Sequence, residues 1–270
     1  MRRLVVSDEA AHDLGGAVPS PAAAFLLAVI ALPGLFWLVM LKRTTVYTAP
    51  EEWMMTTIIP AIRGWVESNL APVEFLVIAI SALGSGWFVA LAFAGLGLLS
   101  LAKGRRDLAL LFALGTLAFP MEWALKYFTS SEAISFTALL GAIVNVNNVG
   151  LDDIADFPAG HALRATVLYG IAAFSVARLA HDYRQGQVAY VVAAIFVGAI
   201  SATRIYLGAH YPMDIVGGLM AGAALLAILV AVHVLRVDER ARARELAAQA
   251  ERAASGQRRV AVPRRTRVEG

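Results

Sequence analysis

Between two long apolar runs stands the stretch Thr203-Arg204-Ile205-Tyr206-Leu207-Gly208-Ala209-His210-Tyr211-Pro212-Met213-Asp214, which holds a guanidinium, an imidazole and a carboxylate. The spacing from Arg204 to His210 is long enough to pass from the end of one helix to the start of the next. Asp214 follows His210 by four positions, so on a helix the carboxylate can fix the imidazole tautomer and support its charge. Because charges are costly within a membrane, these residues are candidates for a functional site.

The composition of the chain indicates an integral membrane protein. Of 270 residues, 59% are hydrophobic and only 16% are charged, and the mean hydropathy is +0.67. This balance is too apolar for an ordinary soluble domain. The chain contains no cysteine, which excludes disulfides, a thiol nucleophile and an iron–sulfur site.

Six apolar segments approach the roughly 20 residues that a helix needs to cross a bilayer. They predict an all-α integral membrane protein, a six-helix bundle over residues 22–236. A cytoplasmic segment, 1–21, is expected before this domain and a basic cytoplasmic tail, 237–270, after it. The six predicted spans are 22–41, 75–102, 108–128, 162–180, 188–205 and 213–235.

The distribution of lysine and arginine predicts the orientation of the chain, because cytoplasmic loops of membrane proteins are enriched in both. With both termini inside, the cytoplasmic basic residues are Arg2, Arg3, Lys103, Arg105, Arg106, Arg178, Arg184 and the arginines of the tail. The tail carries nine arginines against five acidic residues, which fits contact with anionic lipid better than nucleic-acid binding. The same topology puts five polar residues at the outer face: Lys126, His161, Arg204, His210 and Asp214.

Two connecting segments are expected at this outer face. Residues 44–73 contain tryptophans and aliphatic residues at a spacing that suits an amphipathic interfacial helix. Residues 129–157 contain a short apolar run, 133–144, followed by asparagines and aspartates. That run is too short to span a bilayer, so we expect a re-entrant or surface-lying lid beside the site.

The outer-face residues match the chemistry of phosphoryl transfer, which needs cationic positioning groups, an in-line nucleophile and an acid for the leaving oxygen. His210 can attack phosphorus while Asp214 holds its other ring nitrogen. His161 can protonate the departing alkoxide and then activate water. The groups expected to bind the phosphoryl oxygens are Lys126, Arg204 and the backbone N–H groups that begin the fourth span at Gly160.

In these motifs the chain resembles the type 2 phosphatidic acid phosphatase superfamily, in its six-helix membrane branch related to vanadium haloperoxidases. The third part of that family's signature, Ser-Arg, five residues, His, three residues, Asp, matches 203–214 with Thr203 for Ser. The second part, Pro-Ser-Gly-His, matches 158–161 with Ala159 for Ser. Leu83-Gly84-Ser85-Gly86 is also similar to the family. The resemblance covers about 22–235.

The first part of the signature, a Lys followed by an Arg-Pro, is incomplete. Lys126 is present, but Thr129-Ser130-Ser131-Glu132-Ala133 stands where the Arg-Pro is expected. Members of the family use that arginine to bind phosphate. Arg164 follows His161 by three positions and shares its helix face, so it can supply the second cation. The alternative is that Arg164 forms an ion pair with a carboxylate such as Glu122 or Asp214.

Each candidate residue also has a structural interpretation. Lys126 can form an ion pair with Glu122, four positions before it, and Asp214 can cap a helix that starts near Pro212. His161 can be a packed interfacial histidine, and Arg204 can extend to the lipid headgroups. Metal-ligand clusters are missing from the sequence, and Arg204 beside the imidazoles opposes a bound cation. We therefore expect neither a metal nor another cofactor.

Together, the residues and the resemblance predict a metal-independent hydrolase of phosphoric monoesters or acid anhydrides. It would remove phosphate from a lipid phosphate or polyphosphate at the outer membrane face through a phosphohistidine. The partners implied are the lipid phosphate substrate and membrane lipids, without nucleic acid. Three alternatives remain: a lipid phosphotransferase, a weakened homologue that only binds lipid phosphate, and a transporter, although the charges lie at one face and no inverted repeat is seen.

Overall fold

The computed structural model describes residues 20–44, 48–129, 157–180 and 182–260, and the regular structure within these ranges is helical throughout. The predicted all-α class is confirmed. A π-helical turn, Met54–Ile58, joins the second and third helices. The α-helices are α1 (Pro21–Thr44), α2 (Ala49–Trp53), α3 (Ile59–Asn69), α4 (Ala71–Ala82), α5 (Gly86–Ala102), α6 (Arg106–Gly115), α7 (Ala118–Thr129), α8 (Gly160–Leu179), α9 (Tyr183–Tyr206) and α10 (Pro212–Val260).

Helix α8 is the central element of the bundle. It packs against α5, α6, α7, α9 and α10. Its buried side chains therefore recur around the whole helix instead of forming one stripe. The four consecutive residues 162–165 are all buried. On one face of the helix, Leu163, Val167 and Phe174 join Phe93 of α5 in a single apolar core.

The outer surface of the bundle is apolar, as expected for helices that face lipid. On α9, Val188, Val191, Val192 and Ile195 are exposed at a spacing of three to four residues, which places them on one face. Hydrocarbon, unlike water, accommodates such a stripe without cost. The chain is therefore described as an integral membrane protein.

The predicted count of six spans is not confirmed. Within the described ranges, four helical stretches are long and apolar enough to cross a membrane: Arg106–Thr129, Gly160–Leu179, Tyr183–Tyr206 and Pro212–Glu251. A fifth is obtained if the pair Pro72–Ala82 and Gly86–Ala102 counts as one broken span. The predicted first span falls on α1, whose apolar part, Leu26–Leu41, is shorter than 18 residues.

The second predicted span, 75–102, is a bent pair of helices instead of one rod. The axes of α4 and α5 differ by 54°. At the break, the N–H groups of Leu83, Gly84 and Ser85 bond to carbonyls only three residues back. The Ser85 hydroxyl donates to the Ala82 carbonyl at 2.6 Å, and Ser85 then has extended backbone before α5 begins. Serine competes in this way for backbone acceptors and ends a helix.

The connecting segments differ in how far the structure describes them. Within the predicted interfacial segment 44–73, the π-helical turn buries Met55 and α3 buries Val66, whereas the large apolar side chains of Trp53, Ile62 and Trp65 are exposed. Their location at the interface stays a prediction.

The predicted lid lies almost entirely within 130–156, outside the described residues. The predicted boundary between domain and tail at 236–237 falls inside α10.

Candidate active site

The residues of the two signature motifs meet where α8 and α10 begin. The backbone N–H of Ala159 donates to the carbonyl oxygen of Asp214 at 2.9 Å. Ala159 and Asp214 are both fully buried, with exposures of 0% and 1%. This contact fixes the start of α8 against the first turn of α10.

The end of α9 carries Arg204 into the same region. The helix closes with a Schellman motif, in which the N–H of Gly208 bonds to the Ile205 carbonyl and the N–H of Ala209 to the Arg204 carbonyl. Gly208 has a φ of 71°, a left-handed conformation that glycine adopts without strain. The Arg204 side chain is 3% exposed, and its Nη1 donates to the Ser81 hydroxyl of α4 at 3.1 Å.

His161, the second residue of α8, lies within electrostatic reach of several other site residues. Arg204, Arg164, His210 and Lys126 all act on its ring electrostatically. The α4–α5 break closes one side, since a Cβ added at Gly84 would lie 3.2 Å from His161 Cδ2. Within the described residues, the structure therefore brings together the two imidazoles and the three cations that the sequence singled out.

The start of α10 is capped by two carboxylates. Asp214 Oδ2 accepts a hydrogen bond from the backbone N–H of Tyr211 at 3.0 Å. The helix-cap interpretation of Asp214 is confirmed, whereas its support of His210 stays a prediction. Glu51 of α2 accepts from the backbone N–H of Met213 at 2.9 Å. Since Pro212 has no N–H, the two carboxylates satisfy both available donors from Tyr211 to Met213.

Several carboxylates lie around the Tyr211 side chain. Burial raises the pKa of its phenol, and the neighbouring carboxylates of Glu52, Asp214 and Glu51 raise it further. The hydroxyl is therefore protonated at neutral pH and remains a hydrogen-bond donor.

Beneath His161 lies a buried ion-pair cluster of Glu122, Arg164 and Lys126. Arg164 Nη1 donates to Glu122 Oε2, and Lys126 Nζ lies 3.3 Å from Glu122 Oε1. The guanidinium of Arg164 also lies over the Phe119 ring, 5.8 Å from its centroid. The ion pairs proposed as alternatives for Lys126 and Arg164 are thus present, and both cations share one carboxylate.

Gly160, the first residue of α8, lies against this cluster. A Cβ at this position would overlap the Glu122 carboxylate, so any larger residue here would displace that carboxylate from the cluster. The N-cap residue, Ala159, makes no side-chain capping bond. The first turn of α8 therefore presents its backbone N–H groups beside Lys126 and Arg164.

Sequence reasoning missed two residues, Glu51 and Ser81. Both act across long sequence separations, Glu51 on Met213 and Ser81 on Arg204. Pro50 and Glu51 indicate the start of a helix, but nothing local in the sequence indicates which partner the carboxylate takes. No cluster of three metal-ligating side chains is found in the part of the chain that the structure describes.

Comparisons with known proteins agree with these motifs. Phosphatidylglycerophosphatase B of Bacillus subtilis (strain 168) is 31% identical over 70 residues, which make up 26% of this chain and 34% of that protein. The alignment thus spans about a third of the relative. No solved structure matches the chain significantly. The family model of the PAP2 superfamily matches residues 89–238, more than half of the chain, and the chain therefore belongs to the PAP2 superfamily.

Proposed function

We propose that this chain is a membrane lipid phosphatase that transfers the phosphate of a lipid phosphate first to His210 and then to water. The observation that carries the proposal is the environment of His161, whose ring is within electrostatic reach of three cations, Arg204, Arg164 and Lys126, and of the second imidazole, His210. Membership of the PAP2 superfamily and the phosphatidylglycerophosphatase relative support the same reaction class.

The substrate phosphate is expected to bind at the start of α8 and not at the start of α10. Helix N-termini attract anions through their backbone N–H groups and dipole. At α10 the available donors are already bonded to Asp214 and Glu51. At α8 no side chain caps the helix, so the N–H groups that begin at Gly160 can bind phosphoryl oxygens together with Lys126 and Arg204.

Arg164 is proposed as the second cation that replaces the arginine missing from the first motif. Its Nη1 is bonded to Glu122, whereas its Nε is buried and makes no hydrogen bond within the described residues. A phosphoryl oxygen would satisfy that donor. Glu122 would then hold Arg164 in place, so that the guanidinium is oriented before substrate arrives.

The reaction would proceed in two steps. In the first, the neutral nitrogen of His210 attacks phosphorus, while His161 donates a proton to the departing lipid oxygen. Asp214 supports the positive charge that develops on His210. In the second step, His161 removes a proton from water, the water oxygen bonds to phosphorus, and the His210 nitrogen leaves.

The proposal places this chemistry at the outer membrane face. Positive charge is concentrated at the other end of the bundle, for example at Lys103, Arg178 and Arg236, and such charge favours the cytoplasm. A lipid substrate can approach laterally because the bundle surface is apolar. The substrate class proposed is a phospholipid that ends in a phosphomonoester, such as phosphatidylglycerol phosphate.

A second candidate function, binding of lipid phosphate without turnover, is favoured by the Glu122 carboxylate. This carboxylate forms ion pairs with both Lys126 and Arg164. Part of the positive charge in the site is therefore neutralised before substrate binds. A hydrogen bond to a charged group contributes roughly 1.5–3 kcal/mol. Cations held in this way would bind phosphate less tightly than free ones.

The test is phosphate release by the purified chain in detergent from phosphatidylglycerol phosphate, phosphatidic acid and polyprenyl diphosphate, with and without EDTA. We expect release from at least one lipid that continues in EDTA. Release that requires an added divalent cation would contradict the histidine mechanism. Binding of the same lipids without release would favour the second candidate.

A further inference from the structure

A mostly apolar pocket with charged residues in its wall lies between α6 and α10, at the end of the bundle opposite the candidate active site. Polar side chains from both helices line it, together with leucines and valines. From Asp214 to His233 the helix α10 rises by about 28 Å at 1.5 Å per residue, so the pocket is separate from the active site. The residues that carry the argument are Asp107, Leu110, His233, Arg236 and Arg240.

His233 is a buried polar group that lacks a hydrogen bond. The residue is 7% exposed, and its Nε2 makes no hydrogen bond within the described ranges. The nearest carboxylate oxygen, Asp107 Oδ2, lies 3.9 Å away, which is too far for one. The other side of the ring packs edge-on against Phe174. Buried polar groups are normally bonded, so this nitrogen is available to bond an occupant of the pocket.

The charges around the pocket favour an anion. Arg236 and Arg240 both line it and lie one helical turn apart on α10. Arg178, at the end of α8, adds a third guanidinium that acts electrostatically on His233. Asp107 is the opposing charge in this set, so positive charge exceeds negative charge.

The pocket is also open to the lipid-facing surface. Leu110 and Val232 line it and are 41% and 36% exposed on the apolar exterior of the bundle. An occupant that fits both the charges and this surface carries a phosphate and a hydrocarbon chain. A soluble anion would leave the apolar side of the pocket unused.

We propose that this pocket binds the phosphate headgroup of an anionic phospholipid from the membrane leaflet opposite the active site. The phosphate lies between Arg236 and Arg240 and accepts a hydrogen bond from His233, while an acyl chain lies along Leu110 and Val232. The two arginines supply fork-shaped donors that suit phosphate oxygens. The site does not depend on the phosphatase activity.

The test uses the full chain, purified in detergent micelles doped with equal amounts of phosphatidylglycerol and phosphatidylcholine, with bound lipid counted by native mass spectrometry. Arg236→Gln/Arg240→Gln should lower phosphatidylglycerol retention at least about tenfold, which corresponds to about 1.4 kcal/mol. The matched control is Arg242→Gln/Arg244→Gln, which removes two exposed arginines from the same helix outside the pocket. This control should retain the lipid as the unchanged chain does, and His233→Leu should lose it.

Three results would overturn the proposal. Equal loss in both double variants would show diffuse attraction to the basic helix instead of a site. Equal retention of phosphatidylcholine and phosphatidylglycerol would show that the negative charge is not recognised. Displacement of the bound lipid by millimolar inorganic phosphate would identify free phosphate as the ligand.

Discussion

The backbone N–H of Ala159 bonds to the backbone carbonyl of Asp214, and this one contact joins two motifs that are far apart in the sequence. Only main-chain atoms take part. The alanine that stands at position 159, where the resemblance implies serine, therefore leaves the contact intact. The start of α8 and the start of α10 stay in register although a side-chain hydroxyl is missing from the site.

The two roles of Asp214 can be separated by substitution. Asp214→Asn keeps an oxygen that can accept from the Tyr211 N–H, so the melting temperature should change little. The amide cannot support a charged His210, and the turnover number should fall by about a hundredfold or more. Asp214→Ala should lower both the melting temperature and the turnover number. The melting temperature falls because loss of a helix cap costs about 0.5–2 kcal/mol. Melting curves and single-turnover kinetics check this. Near-normal turnover in Asp214→Asn would show that the carboxylate only caps the helix.

The buried cluster of Glu122 and Arg164 should be more sensitive to single than to paired substitution. Glu122→Met leaves Arg164 buried without its carboxylate, which costs about 3–5 kcal/mol. Glu122→Met/Arg164→Met removes the buried guanidinium together with its carboxylate and should recover part of the lost melting temperature, since Lys126 also loses its ion pair with Glu122. Arg164→Lys should keep the fold and raise KM, because the bidentate geometry is lost. Unchanged kinetics in Arg164→Ala of an active protein would show that Arg164 does not bind phosphate.

Substitution of Glu51 should lower stability and kcat more than substitution of its neighbour Glu52. Glu51→Ala removes the acceptor for Met213 N–H and Thr48 N–H and should destabilise the chain by about 1–3 kcal/mol. It should also lower kcat, since α2 no longer holds the start of α10. Glu52→Ala, an exposed position one residue on, is the matched control and should behave like the unchanged chain. Equal effects of the two variants would contradict a specific role for Glu51.

Much of the fold follows from short-range patterns in the sequence. Apolar length predicted the helices over 162–180, 188–205 and 213–235, because each continuous run must satisfy its backbone bonds in one helix. The run 108–128 also lies in one apolar stretch, although a turn at Thr116 and Leu117 divides it into α6 and α7. The same reasoning failed over 75–102. Hydropathy does not register a break when the interrupting residues, Gly84 and Ser85, are small and only weakly polar. The bend depends on hydrogen bonds at Ser85, which hydropathy does not measure.

The sequence predicted those residues of the candidate site that lie within the recognised motifs or one helical turn from them. The ion pair of Arg164 with Glu122 was foreseen as an alternative, because a guanidinium at apolar depth needs a partner. The bonds of Glu51 to Met213 and of Arg204 to Ser81 were not foreseen, since they link segments through tertiary packing and leave no spacing pattern. The assignment of His210 as nucleophile stays a prediction.

The proposed orientation can be tested with single cysteines, since the chain has none of its own. Ser131→Cys lies in the segment predicted outside, and Lys103→Cys lies in the turn between α5 and α6, predicted inside. An impermeant maleimide added to intact cells should label the first and not the second. Lysed cells, in which both should react, are the control. The reverse pattern would place the chemistry on the cytoplasmic side.

The central claim, a phosphatase that works through His210, is tested most directly by comparing phosphate release by the unchanged chain and by His210→Ala in the same detergent. Arg242→Gln, an exposed substitution on the distal part of α10, is the control for effects of purification and detergent. We expect EDTA-resistant release by the unchanged chain and by the control. For His210→Ala we expect a loss of at least about a thousandfold, with lipid binding retained. Release by His210→Ala at a rate close to that of an active unchanged chain would show that His210 is not the nucleophile.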